Sequence, residues 1–176
     1  MALRPASCVR DMDKVAWTRF SKSKPRKSYI KSLPHRHLNQ FVMGTKKEDY
    51  DLTLELVAQK DVIVRDNSLE SARQAVNRYL EKAAPGNYYF IVMQYPHHVI
   101  RENRMVATAG ADRIQQGMRR SFGKPTSRAA RIYKGRPVFV VSTYKQYESK
   151  VRESLLKAPK KMSGAYKIKV SSRVAA

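Results

Sequence analysis

The side chains able to hold a metal or move a proton are few in this sequence. His35 and His37 stand one residue apart and, with Cys8, offer three ligands. A structural zinc takes four, and no second cysteine, no C-x-x-C and no helical histidine pair four apart completes the set. His97, Glu102 and Asp112 form the other constellation. Acid–base cleavage of RNA would need them to converge in one pocket. Asp112 instead stands where a carboxylate caps a following helix, and Glu102 has arginine neighbours. Gly110, Gly117 and Gly123 are spaced as helix punctuation, and no G-x-x-x-x-G-K-[ST] phosphate loop occurs. The pattern points to a protein that is not an enzyme and has no cofactor and no metal. His35 and His37 read as RNA contacts, and His97 and His98 as core or strand-end residues. The alternative is a stand-alone RNA-processing nuclease built on His97, Glu102 and Asp112.

Charge carries more information than these groups. Thirty-six Lys and Arg against fourteen Asp and Glu give a net charge of +22 over 176 residues. The excess is uneven: +8 in residues 1–40, −1 in 41–96, +8 in 97–136 and +7 in 137–176. A field of this size favours a polyanionic partner. A membrane surface fits poorly, because the cations sit in arms and loops rather than along one face of an amphipathic helix. The longest uncharged run, 83–100, is broken by Pro85-Gly86 and Pro96, and its 87–100 part is too short to span a bilayer. No apolar segment follows the first basic residues, which points away from a secretory signal. A single cysteine excludes an internal disulfide and fits a reducing cytoplasm. DNA-reading helices, zinc fingers, zippers and the aromatic-glycine string of single-strand readers are missing, so recognition of folded RNA by shape and phosphate fits best.

The elements that would position these residues follow from periodicity. Residues 1–40 read as an extended basic arm, broken by Pro5, Pro25 and Pro34. Trp17, Phe20 and Tyr29 are interleaved with its cations, either to stack on bases or to pin the arm to the core. Leu52, Leu54 and Leu56 alternate with Thr53 and Glu55 in a half-buried strand over 51–58. Residues 62–64 make a second short strand. Asn67 and Ser68 open a helix, with Glu70 completing a capping box. Leu69, Ala72, Val76, Tyr79, Leu80 and Ala83 form its stripe, and Pro85-Gly86 stops it. Residues 88–94 and 97–101 read as strands, and 102–112 as an exposed loop. Asp112 begins a short helix carrying Ile114, Met118 and Phe122. Residues 129–133 and 138–143 flank Lys134-Gly135-Arg136 as a hairpin. A helix over 145–157 and a strand over 166–170 complete the chain. The fold class is α+β: a two-layer α/β sandwich, its largely antiparallel sheet covered by helices, plus the arm. The organisation is an arm at 1–40, one α+β RNA-binding domain at 41–170 with loop 101–112, and a tail at 171–176.

The lysines and arginines of the arm and of the second basic segment, with His37, are the candidate RNA contacts. They are Arg4, Arg10, Lys14, Arg19, Lys22, Lys24, Arg26, Lys27, Lys31, Arg36 and His37, then Arg113, Arg119, Arg120, Lys124, Arg128 and Arg131.

One stretch is specific enough to place the chain. Residues 95–103, Tyr-Pro-His-His-Val-Ile-Arg-Glu-Asn, are followed at 109–119 by Ala-Gly-Ala-Asp-Arg-Ile-Gln-Gln-Gly-Met-Arg. Phe122-Gly123-Lys124-Pro125 and Ala129-Ala130-Arg131-Ile132 continue the pattern, and Leu3-Arg4-Pro5, Tyr29-Ile30 and Pro34 mark an arm. This resembles a large-subunit ribosomal protein of the universal L-sixteen family, called L-ten-e in archaea. The resemblance implies an α/β sandwich seated on large-subunit rRNA below the central protuberance, with 5S rRNA and neighbouring large-subunit proteins nearby, and no homo-oligomer. It also implies that Arg101, Asn103, Arg104, Met105, Val106, Ala107, Thr108, Ala109 and Gly110 face tRNA acceptor arms near the peptidyl transferase centre. Arg113 would be a further contact of that region. Departures fall in the arm. Ser32 replaces a usual glycine, Arg36-His37 stand where Pro-Lys is common, and 20–27 is longer and more basic than expected. Bacterial members carry a Gly/Lys-rich loop instead, so the chain is archaeal or eukaryotic in type, with His97-His98 favouring archaeal.

Overall fold

Alternating leucines over 52–58 can bury only one face, so a second layer must cover them. The computed structural model describes Pro5, Val9, Ile30, residues 33–102 and residues 123–172. Its strands are β1 Val42–Gly44, β2 Leu52–Ala58, β3 Val62–Arg65, β4 Tyr88–Val92, β5 His98–Glu102, β6 Lys124–Ile132, β7 Pro137–Thr143 and β8 Tyr166–Ser172. Helix α1 is Asp66–Ala83, and α2 is Glu148–Lys157 after a single 3-10 turn at Lys145–Tyr147. The short helix expected after Asp112 lies outside the described residues.

The α+β class holds, with every pairing antiparallel, and the strands divide into two sheets. One has five strands in the order β1-β4-β7-β2-β8, the other three in the order β3-β6-β5. Leu52, Leu54 and Leu56 line the covered face of the larger sheet with Phe90, Phe139 and Val141. Helix α2 packs on β2 and β7 through Val151 and Leu155. Helix α1 packs on α2 and on the smaller sheet, where Val62, Val64, Ala130 and Ile132 join the same core. Phe90 and Phe139 meet edge to face at 5.3 Å, a geometry that contributes about 1 kcal/mol beyond burial.

Two sequence expectations fail for identifiable reasons. Lys134-Gly135-Arg136 is a tight turn, closed by the Arg136 N–H on the Tyr133 carbonyl at 3.1 Å, yet it makes no hairpin. Both edges of β6 are taken by β3 and β5, and both edges of β7 by β2 and β4. The turn therefore carries the chain from one sheet to the other. It docks on the end of β2, where the Gly135 N–H donates to the Ala58 carbonyl at 2.9 Å and the Ala58 N–H donates to the Arg136 carbonyl at 3.2 Å.

The capping box is also absent. Helix α1 starts at Asp66, after Arg65, with no side-chain bond from the cap residue. Glu70 turns along the helix and grips Arg73 through two bonds of 2.6 and 2.9 Å. The Arg73 hydrogen bonds hold the Glu70 carboxyl below its usual range. The buried Arg73 guanidinium claims the carboxylate more strongly than a terminal N–H can. Asp66 serves the helix start, accepting from the Asn67 N–H at 2.8 Å.

Gly44 and Gly135 both take left-handed backbone, at φ 79° and 80°. A Cβ at Gly44 would strike the Tyr88 carbonyl oxygen, whereas one at Gly135 would meet open space. Gly135→Ala should therefore cost about 1 kcal/mol and Gly44→Ala about 3 kcal/mol. Urea unfolding of the two variants checks this; equal losses would show that the β1–β4 approach is not tight.

Candidate nucleic-acid interface

Electrostatics divide the described surface. On the helical layer three cations are paired within their own helices, Arg73 with Glu70 at 2.6 Å, Arg152 with Glu148 at 3.1 Å and Lys157 with Glu153 at 3.8 Å, while Arg78, Lys82 and Lys150 make no ion pair among the described residues. On the smaller sheet and the turn beside it, Lys124, Arg131, Lys134 and Arg136 are exposed. None of these four makes an ion pair among the described residues. Arg131 lies with its guanidinium carbon 5.9 Å from the Tyr133 ring centre. Cations that no carboxylate neutralises are the ones a phosphate can use.

The smaller sheet also carries the basic segment between its strands. Residues 103–122 leave from β5 and return at β6, and Glu102 stands opposite Lys124 in the ladder. A register shift at Ile100/Arg101 re-aims the last residues of β5. Arg101 is half-buried beside it. The remaining candidates there, Asn103, Arg104, Met105, Val106, Ala107, Thr108, Ala109, Gly110, Arg113, Arg119 and Arg120, lie outside the described residues. So do Arg4, Arg10, Lys14, Arg19, Lys22, Lys24, Arg26, Lys27 and Lys31 of the arm, with Trp17, Phe20 and Tyr29.

The arm is fastened to both faces of this sheet. Val9 packs on the outer face against Ile63, Ile100 and Ala129. Toward the other side, Arg128 Nε donates to the Pro34 carbonyl at 2.8 Å, the His37 N–H donates to Asp66 at 3.1 Å, and Leu38 enters the main core. Arg128 and His37, expected as RNA contacts, thus also make structural bonds. Arg36 is committed as well. Its Nη1 donates to the Tyr95 hydroxyl at 2.8 Å and its Nε to Asn39 at 3.2 Å.

A family sequence profile described as "Ribosomal protein L16p/L10e" matches residues 17–169. The chain belongs to that family. The chain is 40% identical over 175 residues to a protein of Hyperthermus butylicus named "Large ribosomal subunit protein uL16", covering 99% of this chain and 93% of that one. Proteins of the same name from Sulfolobus acidocaldarius and Methanococcus aeolicus are 42% and 40% identical, covering 98% and 96% of this chain and 96% and 94% of theirs.

Two features of this L16p/L10e chain were not legible in its sequence. Lys46 and Lys47 rim a concavity of about 330 Å³ on the uncovered face of the larger sheet, lined by Thr53, Tyr89, Ser142 and Ser171. They fall in the segment whose net charge is near zero, which hides them. Tyr95 and His97, in the uncharged run, form a ring stack with Phe41. No described helix is long and apolar enough to cross a membrane.

The adjacent histidines have opposite surroundings. His97 is exposed just before β5, while His98 is buried on the face shared with Ala129 and Arg131. Burial, with the Arg131 charge in addition, pushes the His98 imidazole down to about 4 from an ordinary 6.5. It is neutral in the fold at pH 7. A depressed basic group contributes stability that is present above pH 6.5 and lost as pH falls from there toward 4, by up to about 3 kcal/mol. Urea unfolding of the free protein should show this loss between pH 7 and pH 4.5. In His98→Gln that component should be missing; an equally steep loss in the variant would place its origin elsewhere.

Proposed function

We propose that the protein is a structural constituent of the large ribosomal subunit, acting in the cytoplasm and performing no chemistry of its own. The near-full-length similarity to proteins named as large-subunit components carries this reading. In it, large-subunit rRNA near the central protuberance is the main partner, with 5S rRNA and other large-subunit proteins close by. The basic arm and the cations of the smaller sheet supply the contacts: Arg4, Arg10 and Arg19 at one end, Lys124 and Arg131 at the other. Arg101, Asn103 and Arg104 open the loop 101–112, which faces tRNA acceptor arms near the peptidyl transferase centre. The near-neutral 41–96 segment folds without electrostatic penalty, while the flanking segments need the polyanion.

The protein should sediment with the large subunit. Alone, it should bind deproteinised large-subunit rRNA with affinity that falls as salt rises. Six to ten neutralised phosphates predict a loss of about 10³ to 10⁵ between 50 and 200 mM salt. Salt-independent binding would contradict the reading. Cleavage of the RNA in the same incubation, abolished by Asp112→Asn, would instead favour the nuclease.

A further inference from the structure

Four planar groups form a ladder where the arm meets the domain. The rings of Phe41 and Tyr95 stack at 5.5 Å and 19°. His97 follows, its ring centre 4.4 Å from that of Tyr95 and tilted by 47°. The Arg36 guanidinium carbon sits 5.5 Å from the Tyr95 centre and 5.9 Å from the Phe41 centre. Its two side-chain bonds, to Tyr95 and Asn39, fix the guanidinium in that place.

The backbone under the ladder is fixed too. The Val92 N–H donates to the Phe41 carbonyl at 2.8 Å, the Gln94 side-chain amide Nε2 to the Pro137 carbonyl at 2.7 Å, and the His97 N–H to the Tyr95 carbonyl at 2.9 Å. Pro96 between the two rings is buried. Phe41 packs against the main core, so the inner end is anchored. The outer end is exposed at His97. A purely packing stack would end on a buried ring; this one ends on an aromatic ring in solvent. No carboxylate occurs in 33–47 or in 82–101 to repel an approaching phosphate. Flat rings held in advance, with a guanidinium polarising them, are the recognition chemistry of an unstacked base. Arg36 spends its Nε and one Nη1 donor within the ladder, so the group the ladder presents at its outer end is the His97 ring.

We propose that His97, backed by Tyr95, Phe41 and Arg36, is a stacking platform for one unpaired nucleobase of RNA. This rests on the reading of the protein as an rRNA binder. The test measures binding of full-length protein to deproteinised large-subunit rRNA across a salt series. His97 is exposed, so His97→Ala should leave the urea midpoint unchanged. It should weaken binding about tenfold at every salt concentration, leaving the slope against log salt intact. His97→Trp should bind at least as tightly as the parent, and His97→Lys, which keeps a cation but no ring, should remain weak. Unaltered binding by His97→Ala would overturn the platform while leaving the rRNA reading intact. Recovery in His97→Lys, or a slope that drops by about one in His97→Ala, would identify a phosphate contact instead and overturn it equally. Parent protein that fails to bind rRNA would sink the underlying reading, and the platform with it.

Discussion

Two of the passages that join the sheets lie side by side, and much of the rest depends on them. One runs from β2 to β3, the other from β6 to β7. Asp61 in the first accepts the Lys134 N–H of the second at 2.7 Å, and the Gly135 and Ala58 bonds lie next to it. Because both crossings are locked together, the smaller sheet cannot slide over α1 without breaking bonds in the larger one. Its inner residues stay in the common core. Its far end, where Glu102 faces Lys124, becomes a stem of fixed direction for the segment between them.

That arrangement separates two uses of charge. Arg73, Arg152 and Lys157 on α1 and α2 are turned into helix-internal pairs, the exposed ones contributing a few tenths of a kcal/mol each. Lys124, Arg131, Lys134 and Arg136, on the smaller sheet and its adjoining turn, make no ion pair among the described residues, and such a cluster of positive charge favours a polyanion. The arm is drawn into the same place, its Val9 on one face of the sheet and its 34–38 segment tied to the other by Arg128, Asp66 and Leu38. The fastened parts of the arm and these four cations thus share the smaller sheet and its adjoining turn.

Periodicity made most elements readable. The Leu52–Leu54–Leu56 alternation and the stripe from Leu69 to Leu80 each bury the residues expected, because each face meets a single partner layer. The half-exposed Tyr79 is the exception: its hydroxyl is spent on Glu153 and its ring lies 3.5 Å from the Lys157 ammonium. What stayed hidden depends on competition between distant groups. A tight turn at Gly135 does not reveal that both edges of β7 are already taken. Glu70 looks like a cap residue until Arg73, buried beside Met43, claims it. At the candidate interface, composition marked Arg36 and Arg128 as cations, but only the fold shows that their donors are partly used at home. Nothing in an uncharged run announces that Tyr95 and His97 will stack on Phe41.

Hydroxyl-radical footprinting of the full-length protein, free and bound to large-subunit rRNA, tests the division of the surface most directly. It reads side chains on both layers in one experiment. The account predicts lost reactivity at Met93, His97 and Tyr133, and unchanged reactivity at Leu156, which is equally exposed on α2 in the free protein. Protection of Leu156 with Met93, His97 and Tyr133 still reactive would place the RNA on the helical layer and contradict the account.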